Sequence, residues 1–312
     1  MSPKVSIVTI TYNSSQFVRQ AIESVLAQSF TDIEYIISDD CSSDNTWDII
    51  QEYKDPRIRA WRNPRNLGEY PNRNKTLNEA KGEFIIWIDG DDIFYPHGLE
   101  FMVKMLEAFP NSAMACARPY WANMVYPYEL KPEETFKHEF LGSQVTINGF
   151  PDTLIKTSVL KETGGLPEDY ISGDTFVKRQ IALQHNILLI SNGVSWWRTY
   201  EGQASSKVRN TDRGYLENIR SSLYFLNHKD LPLTNEERET GLKNIYAGFA
   251  RYLLRRHVLR GRLVRCLKLV KNTDLKWKLI LRNVLTPIYL PMLNQRSAQN
   301  PYMLPIKRNP YV

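Results

Sequence analysis

Across the first 110 residues, short apolar runs alternate with stretches of helical periodicity, and this alternation constrains the chain more than any other feature. Val5–Thr11 is an apolar, β-branched run with the length of a buried strand. Gln16–Gln28 follows, with Ala21, Ile22, Val25 and Leu26 at helical spacing. Tyr35–Ser38 reads as a second strand and Thr46–Tyr53 as a second helix, its start flanked by the cap-rich Ser42-Ser43-Asp44-Asn45. Ile58–Trp61 can make a short third strand, and Asn72–Ala80 reads as a helix ended by Gly82. Phe84–Ile88 is the most apolar strand, and Gly98–Phe109 is a helix stopped by Pro110. Repeated strand–helix units predict an α/β fold, a Rossmann-like, mostly parallel sheet flanked by helices.

Beyond residue 110 the pattern changes twice. Residues 111–210 carry aromatic, Pro-rich segments that predict irregular structure, with a helix at Thr175–Gln184 and an apolar run at Ile187–Ile190. After 211 the sequence is helical, over Arg213–Leu226, Asn235–Leu254, Val258–Val270 and Leu275–Leu285. Charge follows this division. Residues 251–312 hold 14 of the 40 Lys/Arg but only Asp274 of the 34 acids, a net +13. The first 250 residues hold 26 basic and 33 acidic side chains, a net −7. An acidic body with a basic tail implies an anionic partner for the tail. No apolar run reaches the roughly 18 residues of a membrane span. Three scattered cysteines exclude a disulfide framework, and the N-terminus lacks a signal-peptide pattern, so a cytoplasmic location is expected.

Three polar clusters fall at the carboxyl ends of predicted strands, where open α/β sheets bind ligands. They are Thr11-Tyr12-Asn13, Asp39-Asp40 and Asp89-Gly90-Asp91-Asp92. The glycine-rich phosphate cradles are absent, so a bound diphosphate would need its charge met otherwise. The hard carboxylates of Asp89–Asp92 suit Mg²⁺ or Mn²⁺, with Gly90 permitting the turn and close approach of a ligand. A solvated turn is the plain alternative, but three carboxylates after an apolar strand and facing Asp39-Asp40 favour a cation. Tyr12 is compatible with packing or with stacking on a base.

These segments, read together, resemble family 2 glycosyltransferases with the GT-A fold. The resemblance rests on Val5-Ser-Ile-Val-Thr-Ile-Thr-Tyr-Asn13, Gln28-Ser-Phe, Ile37–Thr46, Arg73-Asn74, Ala80–Ile85 and Asp89-Gly-Asp-Asp92, in that order. It implies a nucleotide-diphosphate sugar donor (a UDP-sugar first among candidates), a divalent Mn²⁺ or Mg²⁺, and inversion at the anomeric carbon. Thr11, Tyr12 and Asp40 would contact the base and ribose, Asp89 the ribose side, and Asp91 the metal. Arg73 matches an Arg-Asn pair near the nucleotide pocket, with a surface salt bridge as the alternative. Residues 1–110 would bind the donor and 111–210 the acceptor, with 211–312 a helical basic extension.

In the acceptor half, Gly164-Gly165-Leu166-Pro167-Glu168 and then Gly173-Asp174 look like the family's segment bearing the general base, here Asp174. The chain departs from many members in having Gly rather than an acid at 173, which leaves Glu168 and Asp169 as stand-ins. A carboxylate opening a helix tends to stay ionised, which suits a base and equally suits a cap. Trp196–Arg209 would cover the diphosphate through Lys207 or Arg209. The Q-x-x-R-W motif of processive synthases is absent, so one sugar per encounter is expected. In the tail, Leu259, Leu263, Leu267 and Val270 form one helical stripe, and Trp277, Ile280, Leu281, Val284 and Leu285 another. Basic flanks on both suggest an anionic membrane surface and a glycan or lipid-linked glycan acceptor, as in bacterial cell-surface polysaccharide assembly. Packing on the body is the alternative, and no aromatic–basic nucleic-acid module accompanies the tail. Two further functions compete: a nucleotidyltransferase, which lacks its Gly-rich basic loop here, and a catalytically silent membrane-associated scaffold.

Overall fold

A computed structural model describes residues 2–118, 125–200, 203, 211–271, 273 and 277–282. Lys207 and Arg209 lie outside the described residues, as do Val284 and Leu285.

Eight strands form one sheet: β1 (Val5–Thr11), β2 (Ile33–Asp39), β3 (Ile58–Arg62), β4 (Phe84–Trp87), β6 (Ser112–Arg118), β7 (Tyr128–Leu130), β8 (Thr153–Lys156) and β9 (Asn186–Ser191). Their order is β3-β2-β1-β4-β8-β6-β9-β7. Strands β1 to β4 pair in parallel, as do β6 and β9, while β8 and β7 run against their neighbours. The sheet is therefore mostly parallel, as expected. A short antiparallel pair, β5 (Ile93–Phe94) with β10 (Ser195–Trp196), lies beside it.

The chain leaves β1 for β2 on one side and returns from β3 to β4 on the other, so the sheet's direction of winding reverses between β1 and β4. Such a switch point leaves a crevice at the carboxyl ends of the strands. The register sets Thr11 opposite Asp39. Asp89 follows two residues after β4, so the predicted polar clusters meet at one sheet edge.

Both sheet faces are covered, which explains why the strands read as continuous apolar runs. Ile7, Tyr35, Ile37, Phe84 and Ile86 pack under helices α1 (Val18–Leu26), α2 (Thr46–Gln51) and α4 (Gly98–Ala108). Val8, Ile36, Ile85, Trp87 and Leu189 pack on the other face. There they meet α3 (Glu69–Glu79), α5 (Pro132–Leu141), α6 (Thr157–Glu162) and α7 (Gly173–Ala182). Helices α8 (Asp212–Leu226), α9 (Asn235–Arg256), α10 (Leu263–Lys271) and α11 (Trp277–Arg282) follow, with a third core around Ile219, Phe249 and Leu253.

Two expectations need correction. Residues 111–200 are ordered rather than irregular, holding β6 to β10 and α5 to α7 wherever they are described. Strand β6 is buried throughout, so it shows no alternation, while β7, β8 and β10 are only two to four residues long. The single helix expected over Val258–Val270 is broken, because Gly261 takes a left-handed turn at φ 70° between a 3₁₀ turn and α10. Among the described residues no helix is long and apolar enough to cross a membrane.

Candidate active site

The loops after β1 and β2 are built against each other. Thr11 donates its hydroxyl to Asp39 at 2.9 Å, and the Ser42 backbone N–H reaches the same carboxylate at 3.0 Å. Asn13 and Ser43 are joined at 2.8 Å, and Ser15 donates to Asp44 at 3.1 Å. These bonds hold Asn13 and Cys41 at φ 51° and 63°, left-handed values that only a determined surrounding maintains. Tyr12, 54% exposed, stands out of this frame toward solvent.

Asp40 is buried, and its carboxylate accepts N–H groups from Asn63, Leu67 and Gly68, each at 2.9 Å. In this structure it fixes the loop over 63–68. Gly90 is packed rather than left-handed. A Cβ there would lie 2.9 Å from the Thr11 methyl, so its bare backbone lets the β4 loop close on β1.

On the other side of the crevice, α3 sends Arg73 under Asp89. The residue is 2% exposed, and its guanidinium donates to Asp89 Oδ1 at 2.7 Å and Glu69 Oε1 at 3.1 Å and lies 4.6 Å from the Phe150 ring centroid. Burial opposes its charge, but Asp89 and Glu69 outweigh that and raise its pKa. The surface-salt-bridge alternative does not apply to a side chain this buried. Neighbouring Asn74 exchanges two hydrogen bonds with the Leu166 backbone, at 2.9 and 2.8 Å. The Arg-Asn pair thus serves two directions, one toward the carboxylates and one toward the Gly164–Glu168 turn.

Asp174 lies in the first turn of α7, 3.9 Å from Lys178 Nζ. Tyr70 positions this helix end: its hydroxyl donates to the Ile171 carbonyl and accepts the Gly173 N–H, both at 2.8 Å. A Cβ on residue 173 would meet the Tyr70 ring at 2.7 Å, which accounts for glycine before Asp174. Burial lowers the pKa of Lys178, whose Nζ donates to the Asn148 carbonyl. Deeper in the same helix, the buried Arg179 pairs with the buried Glu139 of α5 at 2.9 Å. Glu168 reaches Asn74 at 3.2 Å and Asp169 pairs with Arg220 at 2.6 Å, so both stand-ins are engaged at the surface.

Beyond Gly90 the carboxylates crowd. Desolvation, then Asp89 and Asp91, push Asp92 up to about 8, and desolvation with Asp89 raises Asp91. Partial relief comes from β10 and the residues after it. Arg198 donates its backbone N–H to Asp92 at 3.0 Å and its Nε–H to the Asp91 carbonyl at 2.8 Å. Its guanidinium stacks 4.4 Å from Phe17 and 4.7 Å from Trp196. Tyr200 packs on Phe17 at 4.8 Å and hydrogen-bonds Asp91; desolvation and that carboxylate push its phenol up to about 12. Arg198 and Tyr200 escaped the sequence reading, although they lie within Trp196–Arg209, the segment expected to cover the diphosphate.

One cleft of about 1340 Å³ is lined by Arg73, Asp89, Asp92 and Asp174 from the body and by residues of α8 and α9, while Thr11, Tyr12, Asp40 and Asp91 are not among its lining residues. Among the described residues no group of three His, Cys, Asp or Glu is placed to enclose a metal ion. The crowded hard oxygens of Asp89–Asp92 still fit a divalent cation that takes its remaining ligands from a bound diphosphate and water.

A four-strand parallel unit with its switch point walled by carboxylates defines the nucleotide-binding core of a GT-A fold. The chain belongs to Glycosyl transferase family 2, whose profile matches residues 6–164. It is similar to TuaG of Bacillus subtilis, a putative teichuronic acid biosynthesis glycosyltransferase, at 39% identity over 52% of this chain and 58% of that one. It is also similar to WfaP of Escherichia coli, a UDP-Glc:alpha-D-GlcNAc-diphosphoundecaprenol beta-1,3-glucosyltransferase, at 38% identity over 33% and 41%. The chain thus spans about half the length of the curated relatives it matches. Among solved structures, Staphylococcus aureus TarS 1-349 with UDP-GlcNAc superposes with a TM-score of 0.61, 20% identity, and 80% of this chain on 72% of that one. The mannosyltransferase PcManGT of Pyrobaculum calidifontis, with GDP-Man and Mn²⁺, gives 0.60, 16%, and 91% on 88%. At those identities the two structures establish the shared fold.

Proposed function

We propose that the protein transfers one sugar from a nucleotide-diphosphate donor to a hydroxyl of a glycan or lipid-linked glycan, with inversion, in cell-surface polysaccharide assembly. The observation that carries this reading is the single cleft lined by both Asp89 at the switch point and Asp174 at the start of α7. Residues 1–110 hold the donor, 111–210 supply the acceptor side and the base, and 211–312 form the basic extension. Thr11 and the exposed Tyr12 border the base and ribose, while Asp40 acts through the 63–68 loop that it fixes. Arg73 keeps Asp89 oriented toward the ribose side of the donor. Asp91 would hold Mn²⁺ or Mg²⁺, and a bound divalent ion would neutralise charge on the departing diphosphate.

Asp174 takes the proton of the acceptor hydroxyl as its oxygen bonds to the anomeric carbon. The bond from that carbon to the diphosphate breaks on the opposite face, so configuration inverts. Arg198 and Tyr200 brace the turn that carries Asp91. Family membership sets aside the nucleotidyltransferase alternative. Peripheral attachment to an anionic membrane is part of the same proposal: Leu259, Leu263 and Leu267 are all more than half exposed, among Arg262, Lys268 and Lys271.

Asp174→Asn tests the assignment because it removes the base and keeps the shape. Its transfer rate should fall by about 10²–10⁴-fold while nucleotide affinity and unfolding temperature stay at wild-type values. Wild-type turnover in this variant overturns Asp174 as the base.

A further inference from the structure

Six carboxylates are among the described residues that line the cleft: Glu69, Asp89, Asp92, Asp152, Asp174 and Glu217. Four of them face a cation. Glu69 and Asp89 share Arg73, Asp174 lies near Lys178, and Glu217 is 3.6 Å from Arg220. Asp92 takes the Arg198 backbone N–H beside the crowded turn. Asp152 differs from all of these. Its Oδ1 accepts the Ser195 hydroxyl at 2.7 Å, while among the described residues nothing donates to Oδ2 and no Lys, Arg or His forms an ion pair with it.

Asp152 is held between the two working ends of the cleft. It closes a 3₁₀ turn, Phe150–Asp152, whose Phe150 packs on Trp87 at 5.0 Å and against Arg73. On one side, Ser195 belongs to β10, which pairs with β5 directly after Asp89–Asp92. On the other, Asn148 donates to the Asp152 carbonyl at 3.0 Å and to the Thr153 hydroxyl at 2.9 Å. The Asn148 carbonyl in turn takes Lys178 Nζ from α7, the helix that carries Asp174. Desolvation raises the Asp152 carboxyl, with the Ser195 hydroxyl, Lys178 and Arg118 opposing it. Hydroxyls of a bound ligand would return the hydrogen bonds that burial removes.

We propose that Asp152 accepts hydroxyls of the sugar being transferred and thereby selects a donor whose sugar is uncharged. This rests on the transferase reading above and narrows its donor class. With the diphosphate beside Asp89–Asp92 and the attacking hydroxyl at Asp174, the transferred ring lies between them, and Asp152 is tied to both sides. A carboxylate with one oxygen oriented by Ser195 and the other open accepts hydroxyls in charge-assisted hydrogen bonds. The same charge repels a sugar that carries its own carboxylate, so one side chain both attracts and excludes.

The test measures calorimetric binding, with Mn²⁺, to the full chain and to its Asp152→Ala, Asp152→Asn and Ser195→Ala variants. The ligands are UDP, GDP and dTDP, and the pairs UDP-glucose with UDP-glucuronate, UDP-galactose with UDP-galacturonate, and GDP-mannose with GDP-mannuronate. Wild type should bind the neutral member of its preferred pair at least about tenfold tighter than the uronate. Asp152→Ala should weaken that neutral ligand by about tenfold or more and leave the free nucleoside diphosphate within about twofold of wild type. Asp152→Asn keeps the shape without the charge and should narrow the gap between neutral and uronate ligands. Ser195→Ala should weaken the neutral ligand in the same direction by less. Equal binding of neutral and uronate donors by wild type overturns the proposal, as does Asp152→Ala that binds every sugar nucleotide like wild type. A loss that is as large for the free nucleoside diphosphate as for the sugar nucleotide, in both Asp152 variants, assigns Asp152 to the architecture of the cleft and also overturns it. Failure of wild-type protein to bind any nucleoside diphosphate contradicts the transferase reading itself, which the other outcomes leave standing.

Discussion

Where β1, β2 and β4 end, polar side chains are held by one another, whereas at the end of α9 exposed arginines face the cleft around a braced helix end. Thr11 is held by Asp39, Asp40 by the 63–68 loop, and Arg73 by Asp89 and Glu69. Arg255 and Arg260 stay exposed, and only the helix beneath them is fixed, through Asp212. The difference teaches that the strand-end side is organised by its own side chains. The α9 side presents charge from a fixed helix end. Substitutions on the first wall should therefore cost stability, and substitutions on the second should cost binding alone.

The largest effect is expected beside the first wall, where α7, the helix that carries Asp174, meets its buried support. Glu139→Ala leaves Arg179 charged and buried without its partner, and should destabilise the fold by about 3–5 kcal/mol in denaturant unfolding. A change below about 1 kcal/mol would show that α7 is positioned by other contacts. Tyr70→Phe should cost about 1–2 kcal/mol, since the Ile171 carbonyl and Gly173 N–H lose their shared partner. Transfer should slow more than nucleotide binding weakens, because the Tyr70 hydroxyl sets the start of the helix that carries Asp174. Equal losses in both would place Tyr70 on the donor side instead.

On α10, which Asp212 ties to that helix end, the expected sign is different. Leu263→Asp with Leu267→Asp changes two exposed residues, so stability should stay within about 0.5 kcal/mol of wild type. Vesicle co-sedimentation should fall sharply. If stability drops with it, this face of α10 is covered in the folded protein and the comparison between the two regions fails.

The strand-end wall was legible because its signals are local. Val5–Thr11 and Phe84–Ile88 are recognisable as buried strands, and carboxylates directly after such strands fall at the ligand-binding edge of a parallel sheet. The resemblance singled out Asp174 at the opening of a helix, and the structure sets it in the first turn of α7. Tyr70 was not, because its role depends on Ile171 and Gly173, about a hundred residues away, and nothing near Tyr70 announces it. Arg198 was hidden for the same reason, as its partners Asp91 and Asp92 are equally remote. Strand β8 is four residues long and antiparallel to both neighbours, so neither periodicity nor the strand–helix alternation marked it. The basic tail was visible as charge, but its division into exposed face and cleft wall depends on how α8 and α9 return to the sheet.

The central claim is that the edge where β1 and β4 end is a nucleotide-diphosphate site. Thermal and denaturant unfolding with UDP, GDP, dTDP and CDP, each with and without Mn²⁺, tests it most directly, on wild type and on Asp89→Asn. One nucleotide should stabilise the wild-type chain in a metal-dependent way, by about 2.7 kcal/mol at 100 times its dissociation constant, and Asp89→Asn should lose most of that gain. No stabilisation by any of the four, or an equal gain in Asp89→Asn, would contradict it.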